Sequence, residues 1–373
     1  MDANLADTTG KRIDWIDLAK GINLIFVIVC HTITKGDTAQ IFRGTLYTFQ
    51  MPLFFILSAL TFKLSADNGQ FISKTEKAFK RLIVPALLVF AFKSAVSLFS
   101  VDNIKWAVFF AKKINSFFYG SAPIIHIQEA EILGVGMLWF FFALFAGRTL
   151  FDYLHLKLKE ERQLLFAVCA CACVGIMAAK IQYLPLSLDI ALACMPFFYF
   201  GYYLKSCKIA ENNRKIAVIS ALIWIASAMF CYFYIGDCRS FYINLAVRRY
   251  PLIPIFYICA MAGTLFVSCC SIFLTDRFPK SIKPLLYIGK NSLYLFCIHA
   301  MDSLYKNIWR ITDSSICSCI IRLSVDLLLF AALVKTIELI KNRADKSSAS
   351  ESRVQPPLPE QKSEAAGCSK GSA

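Results

Sequence analysis

The sequence is poor in charged residues. Only 17% of its 373 residues are charged, whereas 57% are apolar and 14% are aromatic. A soluble domain carries roughly 25% charged and 45–50% apolar residues, so this chain lacks the polar side chains that cover a soluble globule. The apolar content also excludes disorder for most of the chain, because disordered segments are depleted in apolar and aromatic residues. The composition therefore indicates a protein embedded in lipid.

The sequence also lacks a cleavable signal peptide and a soluble domain. Charged residues such as Asp2, Lys11 and Asp14 precede the first apolar segment, and no small-residue cleavage site follows a short apolar core. We therefore expect the first helix to be retained. Residues 1–12 are predicted to form a cytoplasmic N-terminus. Residues 343–373, rich in Ser, Lys, Glu and Pro, are predicted to form a disordered cytoplasmic tail.

Long apolar segments fill the rest of the chain. A transmembrane helix needs about 20 predominantly apolar residues to cross roughly 30 Å of hydrocarbon. Ten segments reach or approach this length, so residues 13–342 are predicted to form an all-α polytopic membrane domain with about ten transmembrane helices. The segments are approximately 14–34, 44–62, 82–101, 137–151, 164–180, 185–204, 216–235, 252–274, 285–305 and 316–340.

The net charge of +15 is explained by orientation in the membrane. If the N-terminus is cytoplasmic, the connections on that side hold clearly more Lys and Arg than those outside, among them Arg81, Arg148 and Lys205. This bias follows the positive-inside rule, and an even number of helices places both termini in the cytoplasm. We therefore expect a protein of the inner (cytoplasmic) cell membrane that contacts the lipid bilayer and no nucleic acid.

The 15 cysteines do not indicate a metal site. Nearly all lie within the apolar segments, and Cys169, Cys171 and Cys173 alternate along one predicted helix. Side chains two residues apart point about 200° away from each other around a helix, so these three thiols cannot share one metal ion. We expect the cysteines to fill space between helices, and we predict no metal site and no tightly bound cofactor.

The first predicted helix carries three ionisable residues, Asp17, Lys20 and His31. Such residues are costly in a membrane and are functional candidates by default. Eleven residues separate Lys20 from His31, which places both on one face about 16 Å apart along the axis. Asp17 and Lys20 can pair at i,i+3, although both are also explained as anchors at the interface. A histidine deeper in the helix suits a general base, unless it is a structural histidine with its hydrogen bonds satisfied.

The ninth predicted helix repeats this pattern. Ser292 and His299 are seven residues apart and share a face, and His299 lies at a depth similar to that of His31. We therefore expect the two histidines to face a common polar cavity.

Other charged residues fall within the predicted spans. Arg322 and Asp326 are spaced i,i+4 and are expected to neutralise each other. Lys93 and Asp189 have no evident partner in the sequence.

Five stretches together resemble one known family. The pattern Asp17-x-x-Lys20-x10-His31 resembles the first-helix signature of the integral-membrane acyltransferase family three, and Trp15 to Ile22 resembles its fucose 4-O-acetylase-like subgroup. Lys20 stands where many members have Arg, and Ala59 stands where Gly is usual. The further stretches that match in order are Phe49–Ser58, Lys77–Pro85, Leu138–Phe141 and Ile288–His299.

The resemblance implies a donor and an acceptor. Members of the family are polytopic O-acyltransferases, so we expect transfer of an acyl group, usually acetyl, from cytoplasmic acyl-CoA (acetyl-CoA) to a hydroxyl of an extracytoplasmic or lipid-linked glycan. Lys77, Lys80 and Arg81 would then form a cationic mouth for the CoA phosphates. The positive-inside bias explains the same three residues without a ligand.

The resemblance also assigns roles inside the membrane. The Asp17–Lys20 pair would line the entry for the acyl arm, and His31 would act as general base or as a transient acyl carrier. Ser58, Asn291 and Ser292 are candidates for stabilising the oxyanion, with His299 as a further candidate site residue.

Two other interpretations remain open. One is a multi-pass transporter or flippase in which His31, Lys20 and Asp17 form an intramembrane relay, although the sequence shows no inverted repeat. The other is a catalytically silent scaffold or sensor with the same fold.

Overall fold

Apolar segments without access to water must satisfy their backbone hydrogen bonds internally, and helices do so within one segment. The computed structural model describes residues 13–33, 36–99, 105–207, 213–309, 312 and 314–354, and these residues are mostly helical. The predicted cytoplasmic N-terminus, residues 1–12, lies outside the described residues, as does the part of the predicted tail from 355 to 373.

Fifteen helices and one hairpin make up the described part of the chain. The helices are α1 (Asp14–Thr32), α2 (Asp37–Tyr47), α3 (Gln50–Thr61), α4 (Asn68–Leu98), α5 (Trp106–Tyr119), α6 (Trp139–Lys157), α7 (Glu161–Ile181), α8 (Leu188–Ala193), α9 (Met195–Leu204), α10 (Asn213–Ile235), α11 (Ile255–Arg277), α12 (Lys283–Lys290), α13 (Ser292–Ala300), α14 (Lys306–Trp309) and α15 (Ser315–Val354). The strands are β1 (Ile125–Ile127) and β2 (Ala130–Ile132).

The prediction of an all-α polytopic membrane protein is confirmed. Within the described residues, eight helical segments are long and apolar enough to cross a membrane: α1, α2 with α3, α4, α6 with the turn before it, α7, α10, α11 and the first part of α15. A ninth candidate is the segment from Pro185 to Leu204, in which the chain bends by 56° between its two helices. The last helix continues to Val354, beyond the predicted start of the tail at residue 343.

The ninth predicted span differs from the prediction. Instead of one helix over 285–305, the chain forms the short helices α12 and α13, with Asn291 between them. Irregular backbone at membrane depth is tolerated where it is covered by protein or lines a cavity. The break therefore marks this segment as part of the protein interior.

The helices divide into central and peripheral ones. About two thirds (67%) of the apolar stretch is buried in α1, in α2 with α3 and in α11, against 22% in α4, α7 and α10. In a membrane, the poorly buried apolar helices are the ones that contact lipid. The first helix, which carries Asp17, Lys20 and His31, is therefore surrounded by other helices.

Two glycines bring α1 and α12 into close contact. A methyl group on Gly21 would overlap with the carbonyl oxygen of Leu285, and one on Gly289 would overlap with the backbone of Asp17. Small residues allow helices in a membrane to approach this closely. This contact fixes the first half of α1 beside the broken segment.

The connection between α4 and α6 is folded. The amphipathic helix α5 exposes Trp106, Phe110 and Ile114, and β1 pairs antiparallel with β2, with Ile125 opposite Ile132. Apolar side chains exposed on such a helix fit a position at the membrane surface.

Two charged residues without an evident partner in the sequence, Asp189 and Lys93, form hydrogen bonds in the structure. Asp189 accepts a hydrogen bond from Arg248 at 2.8 Å, and both side chains are buried. Lys93 donates to the carbonyl oxygen of Ala300 at 2.9 Å. Sequence spacing did not reveal these contacts because 59 and 207 residues separate the partners.

Candidate active site

The structure brings His31 and His299 together. Their ring centroids are 5.4 Å apart with the planes inclined at 51°, so the two histidines lie at the same depth; that they face a common polar cavity stays a prediction. His299 is fully buried, with 0% of its surface accessible. His31, near the C-terminal end of α1, keeps an exposed surface.

Asp326 of α15 holds His299 in place. Its Oδ2 atom lies 3.0 Å from His299 Nδ1, and its Oδ1 atom accepts a hydrogen bond from the Tyr305 hydroxyl at 2.6 Å. A carboxylate can only accept, so Nδ1 carries the proton and Nε2 keeps the lone pair in neutral His299. That Nε2 atom is buried and has no hydrogen-bond partner among the described residues. The arrangement makes His299 an oriented imidazole with one free acceptor.

Arg322 connects α15 to the end of α1. Its guanidinium donates to Thr32 Oγ1 at 3.0 Å and forms an ion pair with Asp302. The predicted neutralisation of Arg322 by Asp326 stays a prediction, and each of the two residues also has a partner on another part of the chain. Thr32 directly follows His31, so this contact fixes the turn that carries the histidine.

A second cation, Arg43, also lies within electrostatic reach of His31. The Tyr47 ring is 6.4 Å from the His31 ring, and the Tyr47 hydroxyl accepts a hydrogen bond from Arg43 at 3.1 Å. Both residues lie on α2. The space in front of His31 is therefore bordered by a phenol and a guanidinium, groups that can hold a polar substrate.

At the opposite end of α1, the predicted ion pair is present. Lys20 Nζ lies 3.8 Å from Asp17 Oδ1, and Lys290 pairs with Asp14 at 3.3 Å. Fourteen residues of helix separate Asp17 from His31, about 21 Å along the axis. The acidic and basic residues of the first helix therefore lie at one end and the histidine at the other.

Asn291 and Ser292 lie between these two ends, and Ser58 lies near the level of Asp17. Seven residues of α13 separate Ser292 from His299, about 10 Å of helix, and Asn291 precedes Ser292 at the break. The start of α3 contacts the middle of α1, where Asn23 donates to the Gln50 carbonyl at 2.6 Å, and Ser58 lies two turns further toward the Asp17 end. These polar residues are therefore at a different level from the histidine pair.

The basic residues predicted at the cytoplasmic mouth lie on the surface of α4. Lys77, Lys80 and Arg81 are exposed, and Lys80 forms an ion pair with Glu76 at 2.5 Å. Arg81 lies close enough to Arg148 to interact with it electrostatically.

Arg148 and Lys205 converge on the ring of Phe62. The guanidinium carbon lies 4.8 Å from the ring centroid and Lys205 Nζ 5.4 Å from it, and Lys205 also donates to the Phe62 carbonyl. Burial, with a smaller contribution from Arg148, lowers the pKa of Lys205 to about 8. Since Phe62 follows the far end of α3, this cluster lies at the end of the bundle away from His31.

A comparison with known families decides the assignment. The family model described as an acyltransferase domain, acyltransferase family 3, matches residues 13–334. This range includes α1 to α14 and most of the membrane-spanning part of α15. The chain belongs to acyltransferase family 3. No curated protein matches it.

The protein is therefore a multi-pass membrane acyltransferase, as the sequence resemblance predicted. The match gives no support to the transporter interpretation. The likeness to the fucose 4-O-acetylase-like subgroup stays a prediction.

Sequence reasoning missed several residues around the histidine pair. Asp302, Tyr305 and Tyr47 were not recognised, and the contact of Asp326 with His299 was not predicted. The signal that could have found Asp326 was the buried His299, because a buried imidazole requires a hydrogen-bond partner. Its partner lies 27 residues away on another helix, where spacing along one helix gives no information.

Proposed function

We propose that this acyltransferase moves an acetyl group from cytoplasmic acetyl-CoA to a hydroxyl of an extracytoplasmic or lipid-linked glycan. One observation carries the proposal: an exposed His31 lies beside the buried His299–Asp326 pair. An accessible imidazole supported by a second, oriented one is suited to remove a proton from a hydroxyl. The match to an acyltransferase family makes acyl transfer the reaction that this base serves.

The donor is proposed to enter at the Asp17 end. Three cations from three helical regions, Arg148, Lys205 and Arg81, suit the binding of the CoA phosphates. Two further residues, Lys77 and Lys80, extend this basic surface. The acyl arm would then pass Lys20 and the polar residues Ser58, Asn291 and Ser292 before reaching His31. The donor would then enter near Asp17 and the acceptor near His31, about 21 Å apart along α1.

In the proposed step, His31 takes the proton from the acceptor hydroxyl. The hydroxyl oxygen attacks the thioester carbonyl, the new C–O bond forms and the C–S bond breaks. His31 then returns the proton to the CoA sulfur, so the products are the ester and free CoA. A hydrogen bond from His31 to the free Nε2 of His299 would set which nitrogen of His31 acts as base. A transient acyl-histidine at His31 is the alternative route.

The test is a transfer assay with the purified full-length protein. With labelled acetyl-CoA and a glycan acceptor, we expect label in the acceptor. Replacement of His31 by Ala should lower the rate by roughly 10²–10⁴-fold, the usual contribution of a general base. His126→Ala is the matched control, because His126 is exposed on β1. Glycan crossing a membrane without acquiring label would contradict the proposal and favour transport.

A further inference from the structure

A cavity of about 390 Å³ opens at the same end of the bundle as the histidine pair, and neither histidine lines it. It lies between the second half of α4, α5, the turn before α6 and the segment after α13. This volume is within the range of about 300–1,000 Å³ found for small-molecule sites. None of the residues proposed above to bind acetyl-CoA lines this cavity.

The cavity is directly connected to the catalytic segment. Lys93 lines it and donates to the carbonyl oxygen of Ala300, the residue after His299. Ser303 also lines it and follows Asp302, the partner of Arg322. The cavity therefore borders the segment from Ala300 to Leu304, which directly follows His299.

The cavity lining carries two cations, and the Asp302 carboxylate outside the lining lies within electrostatic reach of one of them, Lys93. Lys93 of α4 and Lys113 of α5 both line it, and none of its described lining residues is acidic. The hydroxyl of Ser94, another lining residue, is buried and has no hydrogen-bond partner among the described residues. Ammonium and hydroxyl groups in one concave site are the donors that bind carboxylates and phosphates.

A further observation agrees with an anionic occupant. Burial lowers the pKa of Lys113, because its charge loses contact with water. A bound anion would compensate for this loss.

We propose that this cavity binds an anionic group, a carboxylate or a phosphate, of the acceptor. This inference rests on the proposed function and names its acceptor class: an acidic sugar or a sugar linked through phosphate. The exposed apolar side chains of α5 fit a cavity at the membrane surface. A free acidic glycan and a lipid-linked sugar phosphate can both reach such a position.

The experiment compares three acceptor probes with the full-length protein in phosphatidylcholine nanodiscs. The probes are an oligomer of glucuronic acid, a polyprenyl-diphosphate-linked N-acetylglucosamine and an uncharged glucose oligomer. Binding and acetyl transfer are measured separately for each probe. We expect at least one charged probe to bind about tenfold more tightly than the neutral one. The preferred charged probe identifies the source of the anion.

Lysine variants test which residues carry the preference. Lys93→Gln and Lys113→Gln should each weaken binding of the charged probe by about tenfold and leave binding of the neutral probe and the KM for acetyl-CoA unchanged. Lys93→Arg and Lys113→Arg should retain most of the preference, because the positive charge is kept; unchanged binding of the neutral probe by the Gln variants excludes a folding defect. Lys112→Gln is the matched control, because Lys112 is exposed on the same helix and does not line the cavity.

The outcomes separate the two proposals. Equal binding of charged and neutral probes, or a Lys113→Gln variant that behaves like Lys112→Gln, overturns the anion site even if transfer occurs. Tight, lysine-dependent binding of a charged probe supports the anion site even if no acetyl is transferred, and in that case the proposed function fails.

Discussion

At the scale of single residues, the two oxygens of Asp326 have different tasks. One holds the protonated nitrogen of His299 and the other accepts from Tyr305. The carboxylate thereby orients the imidazole and selects its tautomer, which is the usual role of a carboxylate behind a catalytic histidine. Asp326 contacts no substrate in this account and is a positioning residue.

Replacement of Asp326 by Asn tests this role. An amide matches the carboxylate in size but can donate to His299 Nδ1, so the imidazole is free to adopt the other tautomer. We expect kcat to fall by roughly 10²-fold, the KM for acetyl-CoA to stay constant and the shape of the pH profile to change. Asp326→Glu should recover part of the rate. A full rate in Asp326→Asn, with a folded protein by size-exclusion chromatography, would contradict the assignment.

Lys205 gives a prediction of pH dependence. Burial lowers its pKa to about 8, so its ammonium is charged below pH 8 and neutral above. If Lys205 binds CoA phosphate, the KM for acetyl-CoA should rise by about five- to tenfold between pH 7 and pH 9, the effect of losing one charge-assisted hydrogen bond. Lys205→Arg stays charged over this range and should remove most of the rise. A wild-type KM that does not change with pH would exclude Lys205 from donor binding.

At the scale of helices, the contact between α1 and α12 positions both halves of the site. A methyl group on Gly289 would overlap with the backbone of Asp17, and neither backbone can yield as a flexible side chain can. We expect Gly289→Ala to destabilise the protein by roughly 1–3 kcal/mol and to lower activity, because α13 with His299 follows α12 directly.

The control for this prediction is Gly69→Ala. Gly69 lies in the first turn of α4, where an added methyl group would meet only the Asp67 side chain at 3.2 Å. Thermal unfolding in detergent should therefore show a lower midpoint for Gly289→Ala than for Gly69→Ala. Equal midpoints would show that the two helices have room to separate.

The helices also show what the sequence could predict. Apolar length predicted nearly every spanning segment, and i,i+3 spacing predicted the Asp17–Lys20 pair, because both are local properties. Depth along two helices predicted the meeting of His31 and His299. The partner of Asp326 could not be found in this way, since it depends on how α13 packs against α15. The break at Asn291 was missed because apolar composition does not distinguish one long helix from two short ones.

At the scale of the whole molecule, the acyltransferase has two polar ends joined by α1. The basic cluster of Arg148 and Lys205 lies at one end, and the histidine pair with the cavity of Lys93 and Lys113 lies at the other. Positive-inside orientation predicts that the first end faces the cytoplasm. A single chain of this form is suited to pass an acyl group between a donor on one side of the membrane and an acceptor on the other.

The most direct test of this account uses sealed proteoliposomes with a uniform protein orientation. Labelled acetyl-CoA is supplied on the side of Lys205 and the glycan acceptor on the opposite side, and label in the acceptor is measured over time. We predict transfer by the wild-type protein and by His126→Ala, and a rate lower by roughly 10²–10⁴-fold for His31→Ala. Equal labelling by His31→Ala, or labelling only when donor and acceptor share one side, would contradict the account.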